Sequence, residues 1–187
     1  MSRLQHWERT GSRQVADCRV FTVRADDRVS PRTGNHHTFY VIEGRDWVNI
    51  IPITPDGQYV FVRQFRHGTE EISLEIPGGI IDPEDPDPLT AARREMREET
   101  GYDTASIDDL TYLGPIAPNP AIQNNRCHMF VAHGVTKVGE LILDGAEDIE
   151  VVLIDPADVP RLVREGVISH ALAVVGFYLF EHQPTGA

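Results

Sequence analysis

Cysteine is scarce in this chain: two in 187 residues, Cys18 and Cys127. Two isolated thiols make neither a disulfide framework nor a metal-binding spacing, and they suit a reducing compartment. Long apolar runs are missing as well. No stretch approaches the length needed to cross a bilayer, and the opening M-S-R-L-Q-H-W-E-R-T-G has no apolar signal core, so the expected location is the cytoplasm, away from membrane. Positive charge is in short supply, with 17 lysines and arginines against 29 aspartates and glutamates, a formal charge of −12. So acidic a chain repels a phosphate backbone, which argues against nucleic acid as a partner. Internal repeats are absent, and the biased segment is the acidic, proline-rich loop from Asp82 to Pro88. The hydrophobic share of 41% across 187 residues suffices for one well-packed domain.

The most informative stretch is Pro77 to Tyr102, P-G-G-I-I-D-P-E-D-P-D-P-L-T-A-A-R-R-E-M-R-E-E-T-G-Y. Its second half predicts a helix from Pro88 to Thr100. Asp87 can cap the start, Pro88 sits where its missing N–H costs nothing, and Gly101 supplies a left-handed stop. Leu89, Ala92 and Met96 share a stripe for a core, while Glu95 and Glu99 lie one turn apart at its edge and Glu98 is on the same side. Like charges one turn apart destabilise an isolated helix, so the cluster calls for a cation. Arg94 offers one to Glu98, four residues on, which leaves Glu95 and Glu99 without a local partner. Oxygen-only ligands on a rigid element suit magnesium or manganese, although a solvated glutamate-rich helix has the same composition. Upstream, Gly78 and Gly79 follow an apolar strand, Ile72 to Ile76, and let backbone approach a ligand or simply turn.

Elsewhere, alternation predicts strands at Arg19–Ala25, Thr38–Ile42, Thr111–Leu113, His128–Ala132 and Glu150–Ile154. Val48–Ile53 and Gln58–Gln64 read as a hairpin across Pro55-Asp56-Gly57. Further helices are expected at Pro156–Glu165 and Ser169–Glu181. This order implies an α+β fold, a mixed sheet between helices. Phe39, Tyr40 and Trp47 can stack on a base or fill a core. Arg66, at a strand end, can grip a phosphate or form a salt bridge. Asn119, Asn124, Asn125 and Arg126 form a loop that either binds substrate, through Arg126, or only turns the chain. His36 and His37 read as exposed turn residues; His67, His128, His133 and His170 have no metal spacing.

R-E-M-R-E-E-T-G-Y from Arg94 resembles the second half of the Nudix box, and Gly78-Gly79 with acidic residues downstream resembles its first half. One position departs. The box has a glutamate eight residues before its arginine, where this chain has Pro86, with a loop one residue longer; Asp85 or Glu84 can substitute, or the carboxylate is missing. V-F-V-R-Q-F-R, S-L-E-I-P-G-G, E-D-I-E-V and R-E-G-V-I-S-H-A-L-A-V-V-G-F extend the likeness to ADP-ribose and nucleotide-sugar pyrophosphatases over roughly residues 15 to 181.

That resemblance implies a Nudix fold, an α/β/α sandwich over residues 48–187, preceded by an N-terminal β extension, 1–47, that helps form a homodimer. It implies Glu95 and Glu99 as metal ligands, Glu98 as a third or bridging one, and the Gly78 carbonyl as another, with Arg94 orienting them. Mg2+, or Mn2+, would shield the phosphate oxygens and activate water. It places the base on a late loop, at Glu147, with Asp148 and Glu150 as rivals, and leaves Trp47, Arg66 and Arg126 for a small nucleotide substrate. The implied activity is hydrolysis of the pyrophosphate bond in ADP-ribose or a nucleoside diphosphate sugar. Dinucleoside polyphosphates, RNA caps and a non-catalytic nucleotide-sugar sensor are the alternatives; a sensor is expected to lose a metal glutamate or gain a DNA-binding extension, and apart from Pro86 neither is seen.

Overall fold

The computed structural model describes residues 4–183. The chain divides into two compact units: residues up to Arg45 with Ala117–Arg126, and Asp46–Ile116 with the chain from Cys127 onward.

The first unit is an antiparallel sheet of β1 (Glu8–Asp17), β2 (Phe21–Val29) and β3 (His36–Gly44), in that order. β2 begins two residues later than alternation suggests because Arg19 adopts a left-handed turn conformation, φ 67°. β1 gives no apolar alternation to read, since nearly all of E-R-T-G-S-R-Q-V-A-D is exposed. β3 already starts at His36, so both exposed histidines belong to a strand. Phe39 and Tyr40 correct the core reading: they are 43% and 59% exposed, and Phe39 packs edge-on against Trp7. Asp26 is buried, accepting hydrogen bonds from Ser12 Oγ at 2.7 Å, Arg24 Nε at 3.1 Å and Arg28 Nη2 at 3.0 Å. The 117–126 segment docks on β3: Ile42 N–H donates to Ile122 O at 2.7 Å, and Asn125 Nδ2 donates to Arg45 O at 3.2 Å. Asn124 also donates, to Glu43 Oε1. These asparagines are held by the chain itself.

The second unit is built on β4 (Trp47–Ile53), β5 (Tyr59–Arg66), β6 (Glu71–Glu75), β7 (Gly78–Ile80), helix α1 (Pro88–Thr100), β8 (Tyr102–Asp103), β9 (Leu110–Ile116), β10 (Cys127–His133), β11 (Thr136–Lys137), β12 (Ile149–Ile154), α2 (Val159–Arg164) and α3 (Ala171–Glu181). Its main sheet runs β12-β5-β4-β10-β9, with β6 on β5 and β7 on β4. β4 and β10 are parallel and the other pairs antiparallel. Each sheet face carries its own core. Ile51, Phe61, Met129 and Val131 pack with Val159, Leu172 and Phe177 of the α2–α3 layer, while Val48, Ile50, Val60 and Phe130 pack with Ala91, Ala92 and Met96 of α1. The result is the expected sheet between helices.

α1 forms as its caps dictate: Asp87 accepts from Thr90 N–H at 2.7 Å, and Gly101 closes the helix at φ 72° by donating to Arg97 O. The helix expected at Pro156–Glu165 opens instead with a 3-10 turn, Pro156–Asp158, capped by Asp155, before α2 begins.

Candidate active site

β6 ends at Glu75 and the chain crosses Ile76-Pro77 into the glycine pair of β7, which lies against α1. A Cβ on Gly78 would stand 2.2 Å from Val48 O and 2.4 Å from Asn49 Nδ2, and one on Gly79 would stand 2.5 Å from the Glu95 carboxyl group. Close approach therefore demands glycine at both places, and at Gly79 a carboxylate fills the space.

α1 presents its glutamates to this turn. Glu99 is 4% exposed, and its Oε2 accepts the Gly78 N–H at 2.9 Å. Burial pushes the Glu99 carboxyl up to about 8 against that hydrogen bond, with the charges of Glu95 and Glu147 adding to the rise. Burial likewise raises Glu95 to about 7, opposed by Arg94 and reinforced by Glu98 and Glu147. These are carboxylates kept out of water without enough positive charge.

Arg94 is the hub that holds the rest. Its Nη1 donates to Glu98 Oε2 at 3.0 Å and to Glu95 Oε1 at 2.9 Å, so Glu95 does have a local partner. The sequence reading fails there because one long guanidinium fork spans both acids. Nη2 and Nε reach Asp85 at 2.8 and 3.2 Å, and Nη2 also donates to the Ile80 carbonyl. Asp85, which also accepts the Asp82 N–H, is thus the loop carboxylate that pairs with Arg94, while Pro86 and Glu84 are exposed. The Arg94 hydrogen bonds, working against burial, hold Asp85 below the usual carboxylate range.

Glu147 is exposed on the loop before β12, its Oε2 accepting the Asp144 N–H at 3.0 Å, and its charge acts on both Glu95 and Glu99. Glu150 instead points out along β12 and pairs with Arg63 at 3.3 Å.

Beside the glycine pair opens a cavity of about 290 Å³, lined by Trp47, Asn49, Arg66, Gly78, Gly79 and His170 among others. Arg66 forks onto the fully buried Glu75, at 2.8 Å through Nε and 2.7 Å through Nη2. It is therefore a salt-bridge residue and a cavity residue at once. His170 Nδ1 lies 2.9 Å from Glu75 Oε2, close enough for ion pairing yet without hydrogen-bond alignment. Arg126 is exposed in the 117–126 segment.

Sequence reasoning passed over three members of this site. Asn49 carried a signal, a polar residue inside the apolar run W-V-N-I-I-P-I, where burial requires partners. Glu75 carried the same one, between Leu74 and Ile76. His170 carried none, since its neighbour Glu75 lies far away in sequence.

The donor set, carboxylate and carbonyl oxygens on a helix and a glycine turn, fits a hard divalent cation. Among the described residues no three His, Cys, Asp or Glu side chains converge as a closed metal cage. Magnesium asks for less: one or two carboxylates, with water and substrate phosphate completing the shell.

Comparison with known proteins agrees with this geometry. The NUDIX domain model matches residues 43–172. The methanol dehydrogenase activator of Bacillus methanolicus is 26% identical over 98% of this chain and 97% of its own. ADP-ribose pyrophosphatases of Bacillus subtilis (strain 168) and Mycobacterium tuberculosis (strain ATCC 25618 / H37Rv) are 30% and 27% identical, over 66% and 89% of this chain and 65% and 79% of theirs. A crystal structure of an ADP compounds hydrolase superposes with a TM-score of 0.83 at 25% identity, covering 97% of this chain and 95% of that one. With the glycine turn, the Arg94 hub and the buried glutamates in place, the chain belongs to the Nudix family, as a pyrophosphohydrolase of the ADP-ribose pyrophosphatase-like branch.

Proposed function

We propose that the protein hydrolyses the pyrophosphate bond of ADP-ribose or a nucleoside diphosphate sugar, releasing a nucleoside monophosphate and a sugar phosphate, with Mg2+ as cofactor and Mn2+ able to replace it. The observation that carries this reading is the pair Glu95 and Glu99, buried against Gly78 and Gly79 and raised to about 7 and 8. Glu95, Glu99 and the Gly78 carbonyl would hold the cation, with Glu98 as the outer ligand. When bound, the cation neutralises phosphate oxygens and polarises water. Arg94 fixes Glu95 and Glu98 in position, and Glu147, whose charge acts on both ligands, would take a proton from water. Trp47 and Arg66 line the cavity, offering a stacking wall and a phosphate donor.

Purified protein with Mg2+ is to be tested against ADP-ribose, nucleotide sugars and dinucleoside polyphosphates, with products resolved by chromatography. Cleavage of the first two classes to a monophosphate supports the reading; preference for dinucleoside polyphosphates refutes it. Glu147→Gln lowers kcat more than it raises KM, and the same effect from Glu150→Gln instead would move the base. We also place the protein in the cytoplasm, consistent with two free thiols, and infer a homodimer through the N-terminal strands, where Val15, Phe39 and Tyr40 are exposed. Light scattering decides the latter.

A further inference from the structure

Asn49 lies on β4, a strand buried along most of its length, and is itself 6% exposed. Its Nδ2 donates to Pro77 O at 3.4 Å and Ile76 O at 3.5 Å, and its Oδ1 accepts from the buried Cys127 Sγ at 3.1 Å. Burial pushes the Cys127 thiol up to about 12, so it stays an S–H donor at any working pH. The amide therefore has one sensible orientation, oxygen to the thiol and nitrogen to the two carbonyls.

The Pro77 carbonyl also accepts the Ile50 N–H at 3.0 Å. Pro77 C=O and Gly78 N–H belong to the same planar trans peptide unit, and no cis bond occurs among the described residues. In such a unit the two groups point in opposite directions, so fixing the carbonyl fixes the N–H. That N–H is the one Glu99 accepts, at 2.9 Å. Asn49 and Gly78 are also register partners across β4 and β7, and the Asn49 amide occupies the space where a Gly78 side chain would be.

We propose that Asn49 is a positioning residue of the hydrolytic site: clamped by Cys127, it orients the Pro77–Gly78 peptide and thereby aims the Gly78 N–H at Glu99. The role in turnover rests on the reading under Proposed function; the orientation of the peptide does not. Asn49 touches no reacting atom, and its effect passes wholly through one backbone unit.

The test uses Asn49→Leu, which matches the side chain in size and removes its hydrogen bonds, beside wild type. Amide hydrogen exchange at Gly78, read by NMR on metal-free protein, is expected to speed up at least about tenfold, while exchange in α3 stays as in wild type. In turnover of ADP-ribose, kcat falls about tenfold or more and the Mg2+ concentration for half-activity rises, with KM changed by less than about twofold. Unchanged Gly78 exchange, or unchanged kcat and Mg2+ requirement beside an active wild type, overturns the proposal. An inactive wild type would strike down the functional reading alone, because the exchange measurement still decides the orientation. Should Asn49→Leu not fold, Cys127→Ala loosens only the clamp on Oδ1 and is expected to give the same changes at roughly threefold amplitude; no change in Gly78 exchange there counts against the inference equally.

Discussion

Glu99 shows what a single side chain contributes here. Its carboxyl is buried between a helix and a glycine turn, held by one backbone N–H and crowded by two other acids. Gln in its place keeps an oxygen to accept the Gly78 N–H but cannot become the carboxylate a cation needs, so the fold survives while turnover drops by at least about a hundredfold. Steady-state rates with a melting curve check this, and near-normal rates would displace the metal site. Asp85 gives a second contrast. Since it already occupies Arg94, Pro86→Glu leaves the Mg2+ requirement within about twofold, as expected of an exposed substitution. Asp85→Ala frees one side of Arg94 and raises that requirement roughly tenfold in a Mg2+ titration. Tighter Mg2+ binding by Pro86→Glu would show that Asp85 does not substitute.

At the scale of elements, α1 is the most locally determined. Asp87, Pro88 and Gly101 fix its ends through backbone geometry, so its bounds follow from neighbouring residues alone. Gly101 does more than stop the helix: a Cβ there would meet Gly139 O at 2.3 Å, and its own carbonyl accepts the Val138 N–H. Gly101→Ala therefore combines a strained φ with a backbone clash and costs about 1 kcal/mol or more, measurable by urea unfolding. A cost near zero would mean the 138–142 segment yields easily. β1 is the opposite case. Its exposed, polar residues pair through main chain, with register shifts near Gly11 and Ala16, and nothing in side-chain periodicity announces it. The 117–126 segment is similar: its asparagines look like a binding loop until their hydrogen bonds to β3 are seen.

For the molecule as a whole, buried carboxylates set the response to acid. Burial opposes ionisation of Glu75, but the two hydrogen bonds from Arg66, with His170 close beside the carboxylate, outweigh it and hold the group at about 2, below its ordinary 4.5. Asp26 is likewise resisted by burial yet held at about 2 by Ser12, Arg28 and Arg24. A carboxyl lowered by folding contributes stability that is complete above its unfolded value and lost as pH falls toward its folded one. Glu75→Gln is accordingly less stable than wild type near pH 7, and the difference narrows between pH 4.5 and about 2. Urea midpoints across that range provide the check, and a gap independent of pH would mean that Glu75 acts by shape alone.

The sequence by itself determined α1, the glycine pair, the order of most strands and of the helices, and the acidic residues able to face a cation. Each of these depends on backbone propensity, side-chain periodicity or spacing within a single segment. Tertiary structure decided that Asp85 pairs with Arg94, that Arg66 and His170 meet at Glu75, and that Asn49 lies beneath Gly78. Those are contacts between charged or polar groups on different elements, and their partners are chosen by packing and desolvation, which no local pattern encodes.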